Sequence, residues 1–135
     1  MTTSVARILV VDDNPAMREA IAIVLEDEED LALCGESHGI ADALEKCEQL
    51  HPDLALIDIS LKGEDGLDLV RRLAATAPSV LTVVFSLHDD APNIDLAREA
   101  GARGFAVKSQ GSEQMLARIR AVLAGESSFA TPGAP

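Results

Sequence analysis

Residues 8–13, Ile8-Leu9-Val10-Val11-Asp12-Asp13, decide the fold: an unbroken aliphatic run ends abruptly on two carboxylates. A short, continuous, β-branched run of this kind is the signature of a strand covered on both faces. Charged side chains rarely end a buried run unless they are paired or bind a metal. The pattern recurs along the chain, with Leu54-Ala55-Leu56-Ile57 ending on Asp58 and Phe105-Ala106-Val107 ending on Lys108. In a parallel sheet all such run ends lie on one edge, the edge where open α/β sheets bind ligands. The three carboxylates and the amine are therefore expected to converge.

Working outward, the apolar runs at residues 31–34 and 80–85 complete a set of five predicted strands. Helical periodicity fills the gaps. Met17, Ala20, Ile21, Val24 and Leu25 make one stripe; Ile40, Ala43, Leu44 and Cys47 a second; Leu69, Val70, Leu73 and Ala77 a third; and Met115, Leu116, Ile119, Val122 and Leu123 the last. A fourth helix, from about residue 93 to 100, has only Ile94, Ala97 and Ala100 as its apolar face before Gly101 stops it. Pro15 behind Asn14 opens the first helix, and Ser112 with Glu113 starts the fifth. Strands alternating with helices imply right-handed crossovers, hence an α/β fold: a (βα)5 doubly wound, five-stranded parallel sheet in a three-layer sandwich. Residues 125–135, GESSFATPGAP, have linker composition without period and are expected to form a flexible tail or a truncated linker after a single domain at residues 1–124.

Composition narrows the function. The chain has 135 residues, 47% hydrophobic, enough for one domain with a real core. Twenty-three acidic against 11 basic residues give a net charge of −12, which opposes binding to a phosphate backbone, so this chain alone is not expected to bind DNA. The acidic run at residues 26–30 reads as a solvated helix end and turn. No apolar stretch is long enough for a membrane span or a signal h-region, and the expected location is cytoplasmic. Cys34 and Cys47 lack metal-ligand spacing and read as reduced, small hydrophobes. His38, His51 and His88 are scattered and suggest no metal site.

Adjacent carboxylates after a buried strand repel each other and lose hydration, and a divalent cation offsets both. Oxygen ligands in this pattern suit Mg²⁺, which favours one or two carboxylates plus a phosphate oxygen. Lys108 supplies a point positive charge, Ser86 a hydroxyl donor, and Asp58 is the candidate nucleophile. Alone, Asp12 would read as a helix cap and Ser86 as a turn residue, but with Asp13, Asp58 and Lys108 they make a phosphoryl-transfer set; Phe105 by itself reads as core.

The order Asp12-Asp13, Asp58, Ser86, Lys108 along a (βα)5 pattern resembles the receiver domain of two-component response regulators, a CheY-like member of the flavodoxin-like folds. The segments VVDD, DLALIDISLKGEDGLDLV, VVFS and GARGFAVKS carry the likeness, which covers residues 7–124. The resemblance implies that Asp58 accepts a phosphoryl group from a sensor histidine kinase, a phosphotransfer protein or a small donor. It implies Mg²⁺ held by Asp13, Asp12, Asp58 and the backbone carbonyl of Ser60. Lys108 and Ser86 then hold the phosphoryl oxygens, Ser86 and Phe105 act as the switch, and the surface of the fourth helix, fifth strand and fifth helix changes. Such a domain is not an enzyme on outside substrates; it assists only its own phosphorylation and dephosphorylation.

Several positions depart from the family pattern. Lys62 stands where proline is usual, which is expected to loosen that loop, and Ser109 replaces a proline that usually follows a cis bond. The KS pair, VVFS and AVLAGE resemble the NarL/FixJ subfamily, whose receivers precede a LuxR-type helix-turn-helix. One alternative is therefore a receiver whose DNA-binding region lies outside this chain. Leu87 is expected to narrow access to Asp58, while His88 and Ser60 flank the path of attacking water and modulate phosphoryl lifetime. Phe105 lacks the hydroxyl of the commoner tyrosine, so an inward ring gains packing without a hydrogen bond. A non-phosphorylated pseudo-receiver is a further alternative, with Leu87 its main support. A haloacid-dehalogenase-type hydrolase would need a D-x-D motif, absent here, and a flavin carrier would need a phosphate loop after Val11. Homodimerisation through the first, fourth or fifth helix is left open by the sequence.

Overall fold

The computed structural model describes residues 4–87 and 91–130. Six strands form one parallel sheet in the order β2-β1-β3-β6-β7-β8. They are β1 (Ala6–Val11), β2 (Leu31–Ser37), β3 (Leu54–Asp58), β6 (Leu81–Ser86), β7 (Gly104–Val107) and β8 (Ser128–Phe129); a small hairpin, β4 (Ser60–Leu61) with β5 (Glu64–Asp65), stands apart. Helices α1 (Pro15–Glu26), α2 (Ile40–Leu50), α3 (Gly66–Thr76), α4 (Ala91–Ala100) and α5 (Ser112–Leu123) cover the two faces. The chain steps from β1 outward to β2 and returns past β1 to β3, so the topological switch point opens at the C-terminal ends of β1 and β3.

Strand pleat divides the core into two layers. Ile8 and Val10 face a cluster with Ile21, Leu25, Met115 and Ile119, whereas Leu9 and Val11 face one with Ala43, Leu69, Leu73 and Ala97. Burial on both faces is why these strands read as unbroken apolar runs rather than alternating ones. The fourth helix buries Ile94, Ala97 and Ala100, the three residues its sequence offers. Asn14 caps α1 by accepting from the amides of Ala16 and Met17, and Asp65 caps α3 through the amide of Leu67.

One expectation is corrected. It concerns the tail: Ser128–Phe129 pairs in parallel with Gly104 and Phe105, and Ala130 is buried, so the sheet has six strands and residues 128–130 are not a flexible tail. A two-residue strand has no period to detect. Lys62 lies in the β4–β5 turn, closed by Gly63 at φ +74° and flanked by buried Leu61. The acidic run at residues 26–30 is the solvated end of α1 and a turn, as expected, and Arg120 of α5 bonds both Asp30, at 2.8 and 2.9 Å, and Glu28, at 2.5 Å, from across the surface. Residue 88 and residues 131–135 lie outside the described residues, and with them the expectation about His88. Both cysteines are free, and no helix among the described residues is long and apolar enough to cross a membrane.

Candidate functional site

Register builds the site. Val11 pairs with Ile57, so Asp12 and Asp58 emerge side by side one step further on, and Ser86 pairs with Val107, which brings Lys108 to the same edge. The carboxylates of Asp12, Asp13 and Asp58 each offer an oxygen within 4.8 Å of the others. Lys108 reaches in from across the sheet, its Nζ donating to Asp12 Oδ2 at 3.0 Å and to Asp58 Oδ2 at 3.1 Å. The opposite oxygen of Asp58 accepts from the amide of Ser60 at 3.0 Å, and Asp12 Oδ1 accepts from the amide of Asn14 at 2.9 Å.

Burial sharpens the electrostatics. Asp12 is 1% exposed and Asp58 8%. Burial pushes the Asp58 carboxyl above the usual carboxylate range, and the Ser60 amide and Lys108 pull against it. For Lys108, burial would lower the ammonium, but the bonds to Asp12 and Asp58 outweigh it and the net shift is upward. Three carboxylates thus meet one ammonium, an excess of negative charge that suits a hard divalent cation with oxygen ligands. The donor set, two strand-end carboxylates with the neighbouring acid and an open edge, fits Mg²⁺.

The remaining expected residues fall as follows. Ser86 is buried at the end of β6, and Phe105 is fully buried within β7. Leu87, which follows Ser86 at the end of β6, stands out into solvent, 67% exposed. The backbone about Lys108-Ser109-Gln110 makes a tight 3-10 turn with no cis peptide among the described residues. Gly66, at the start of α3, passes directly against the site: a Cβ there would lie 2.0 Å from the carbonyl oxygen of Asp58.

Two contributors were missed. Arg18 donates from Nη1 to the backbone carbonyl of Asp12 at 2.5 Å while its Nε pairs with Glu36 at 3.2 Å, fixing the loop that carries the acids. Glu64 of the hairpin accepts from the amide of Ile40 at 3.0 Å and so caps α2 from a distance. Neither has a local signal, since each acts on an element remote in sequence.

A parallel core in the order β2-β1-β3-β6-β7, with acids at the switch point and a lysine across the edge, defines an α/β domain of the CheY-like class. Residues 8–120 match the response regulator receiver domain, and the chain belongs to that family. It is 34% identical over 120 residues to response regulator GacA of Pseudomonas aeruginosa, covering 89% of this chain and 56% of that protein. It is 31% identical over 121 residues to the nitrate/nitrite response regulator NarL of Escherichia coli, covering 90% and 56%. A LuxR-family two-component response regulator from Aurantimonas superposes with a TM-score of 0.88 at 29% identity, covering 93% of this chain and 89% of that one. The receiver domain of the response regulator NarL from Mycobacterium tuberculosis gives 0.85 at 26% identity, covering 91% and 99%. The chain spans about half the length of the curated relatives it matches. Phosphorylation-dependent switching is the general function of the family.

Proposed function

We propose that Asp58 accepts the phosphoryl group, in a Mg²⁺-dependent transfer from the phosphohistidine of a sensor kinase or phosphotransfer protein, or from a small phosphodonor. The observation that carries this reading is the position of the Asp58 carboxylate between the Asp12-Asp13 pair and the Lys108 ammonium. As the Asp58 oxygen–phosphorus bond forms, the bond from phosphorus to the donor nitrogen breaks, and the leaving imidazole takes up a proton. Such a transfer requires positioning and charge neutralisation rather than a general base. The Ser60 amide and Lys108 orient Asp58; Lys108 and Ser86 bind the phosphoryl oxygens. Asp12, Asp13, Asp58 and the Ser60 carbonyl would hold Mg²⁺, which supplies charge neutralisation at the transferring group.

Binding of the phosphoryl oxygens by Ser86 and Lys108 favours the state in which both are drawn in, with Phe105 buried behind them. That shifts a pre-existing equilibrium and alters the surface of α4, β7 and α5. Leu87 slows small donors, and Leu87→Ala accelerates phosphorylation by them. The chain catalyses loss of its own phosphoryl group and acts on no outside substrate.

A second reading concerns output. The likeness to GacA, NarL and the DNA-binding response regulator MtrA of Mycolicibacterium smegmatis supports transcriptional control, with DNA contacted by a region other than this acidic receiver. Whether the reading frame continues into a basic helix-turn-helix tests it.

Intact mass after incubation with Mg²⁺ and a small phosphodonor tests the site. One added phosphoryl group is expected, lost in Asp58→Ala and on chelation. No gain from small donors or from phosphorylated kinases would make the chain a pseudo-receiver.

A further inference from the structure

The edge of β7 is covered by the chain's own C-terminal segment. The Ser128 amide donates to the carbonyl of Arg103 at 2.9 Å and the Ala130 amide to the carbonyl of Phe105 at 3.0 Å, so the segment bonds the strand that holds Phe105. Both flanking helices grip it. The Arg98 guanidinium of α4 lies 4.2 Å from the centroid of the Phe129 ring, and Arg118 Nη1 of α5 donates to Ser128 Oγ at 3.2 Å. Gly104 permits the close approach, since a Cβ there would lie 2.9 Å from the Ser128 carbonyl oxygen and 2.9 Å from Val122 Cγ2.

We propose that the β7 edge, flanked by Arg98 and Arg118, is a strand-docking surface whose occupant is this chain's own residues 128–130, and that the docked segment holds Phe105 in its buried position. Phe105 and Phe129 are register partners in a parallel pair, so their side chains project from the same face. Phe129 packs against the buried cluster that contains Phe105. Phe105 is 0% exposed with the segment in place, and Ala130 closes the end at 2%. Two ladder bonds, a ring contact and one side-chain bond make a reversible attachment, of the kind drawn from the low-stability end of a fold. A short tether keeps the segment at high local concentration. Docking and the buried state of Phe105 are then reciprocally linked: whatever draws the ring inward tightens the segment, and undocking frees the ring. Only the identity of the event that draws the ring inward rests on the phosphoryl-transfer reading.

The chain contains three phenylalanines and no tryptophan or tyrosine, so uniform 4-fluorophenylalanine labelling gives one fluorine resonance each for Phe85, Phe105 and Phe129. In Phe129→Ala the Phe105 resonance is expected to move toward the shift of solvent-exposed fluorophenylalanine and to acquire a solvent-isotope shift. Arg98→Ala, which keeps every ring, is expected to move it in the same direction by less. Beryllofluoride with Mg²⁺ should return the resonance toward its original position. A Phe105 resonance unchanged in both variants overturns the proposal, as does absence of exchange protection at the Ser128 and Ala130 amides of the unmodified chain. Movement in the variants without any beryllofluoride response upholds the docking and counts against phosphoryl control.

Discussion

Replacing Lys108 by methionine keeps most of the stem's volume and removes the charge shared by two buried carboxylates. The side chains concerned are 9% exposed for Lys108, 2% for Asp12 and 10% for Asp58, so water screens the contacts poorly. At 3.0 and 3.1 Å, each contact amounts to roughly 5 kcal/mol of Coulomb attraction at an effective dielectric constant of about 20. The lost attraction is offset by the dehydration that the ammonium no longer suffers, which brings the net cost to about 3–5 kcal/mol, the usual range for breaking a buried pair. In a domain of this size that lowers Tm by roughly 10–15 °C. The assay is thermal unfolding followed by far-ultraviolet circular dichroism, because the chain has no tryptophan. In a chelator the full loss is expected; with Mg²⁺ most of it should return, and Mg²⁺ should bind Lys108→Met more tightly than the parent because the ammonium no longer competes for the same oxygens. A loss below about 1 kcal/mol, the range of an exposed ion pair, or an equal loss with and without Mg²⁺, would refute the reasoning.

Asp58→Asn gives a pH test. The raised Asp58 carboxyl means that the folded state holds its proton more tightly than the unfolded chain, so stability is lost as pH rises through that range. Asp58→Asn, which cannot ionise, should melt above the parent near neutral pH without metal, and the gap should close in acid; a pH-independent gap would contradict the assignment. Gly66→Ala should cost about 2–3 kcal/mol and slow phosphorylation, because a Cβ 2.0 Å from the Asp58 carbonyl oxygen forces the loop aside; unchanged melting and rate would show that the loop yields freely. Burial pushes the Cys47 thiol up to about 11, which cuts its thiolate fraction near neutral pH by roughly a hundredfold. Alkylation of native protein should therefore spare Cys47 far longer than the half-buried Cys34, and comparable rates by peptide mass mapping would exclude that burial.

The five long strands, the helices between them and the converging acids and lysine were legible because each rests on a local signal. Two-sided burial writes an unbroken apolar run, a 3.6-residue period writes a buried helix face, and a charge at the end of such a run marks a sheet edge. The same logic placed Asp12, Asp13, Asp58, Ser86 and Lys108 on one edge without any coordinates. What only the tertiary structure decided are contacts between elements far apart in sequence. Arg18 bracing the Asp12 carbonyl, Glu64 capping α2, Arg120 binding Glu28 and Asp30, and residues 128–130 closing the β7 edge each depend on which surfaces meet after folding. A single arginine or a two-residue strand has no period, so its partner is set by the three-dimensional register of the sheet rather than by its neighbours in the chain.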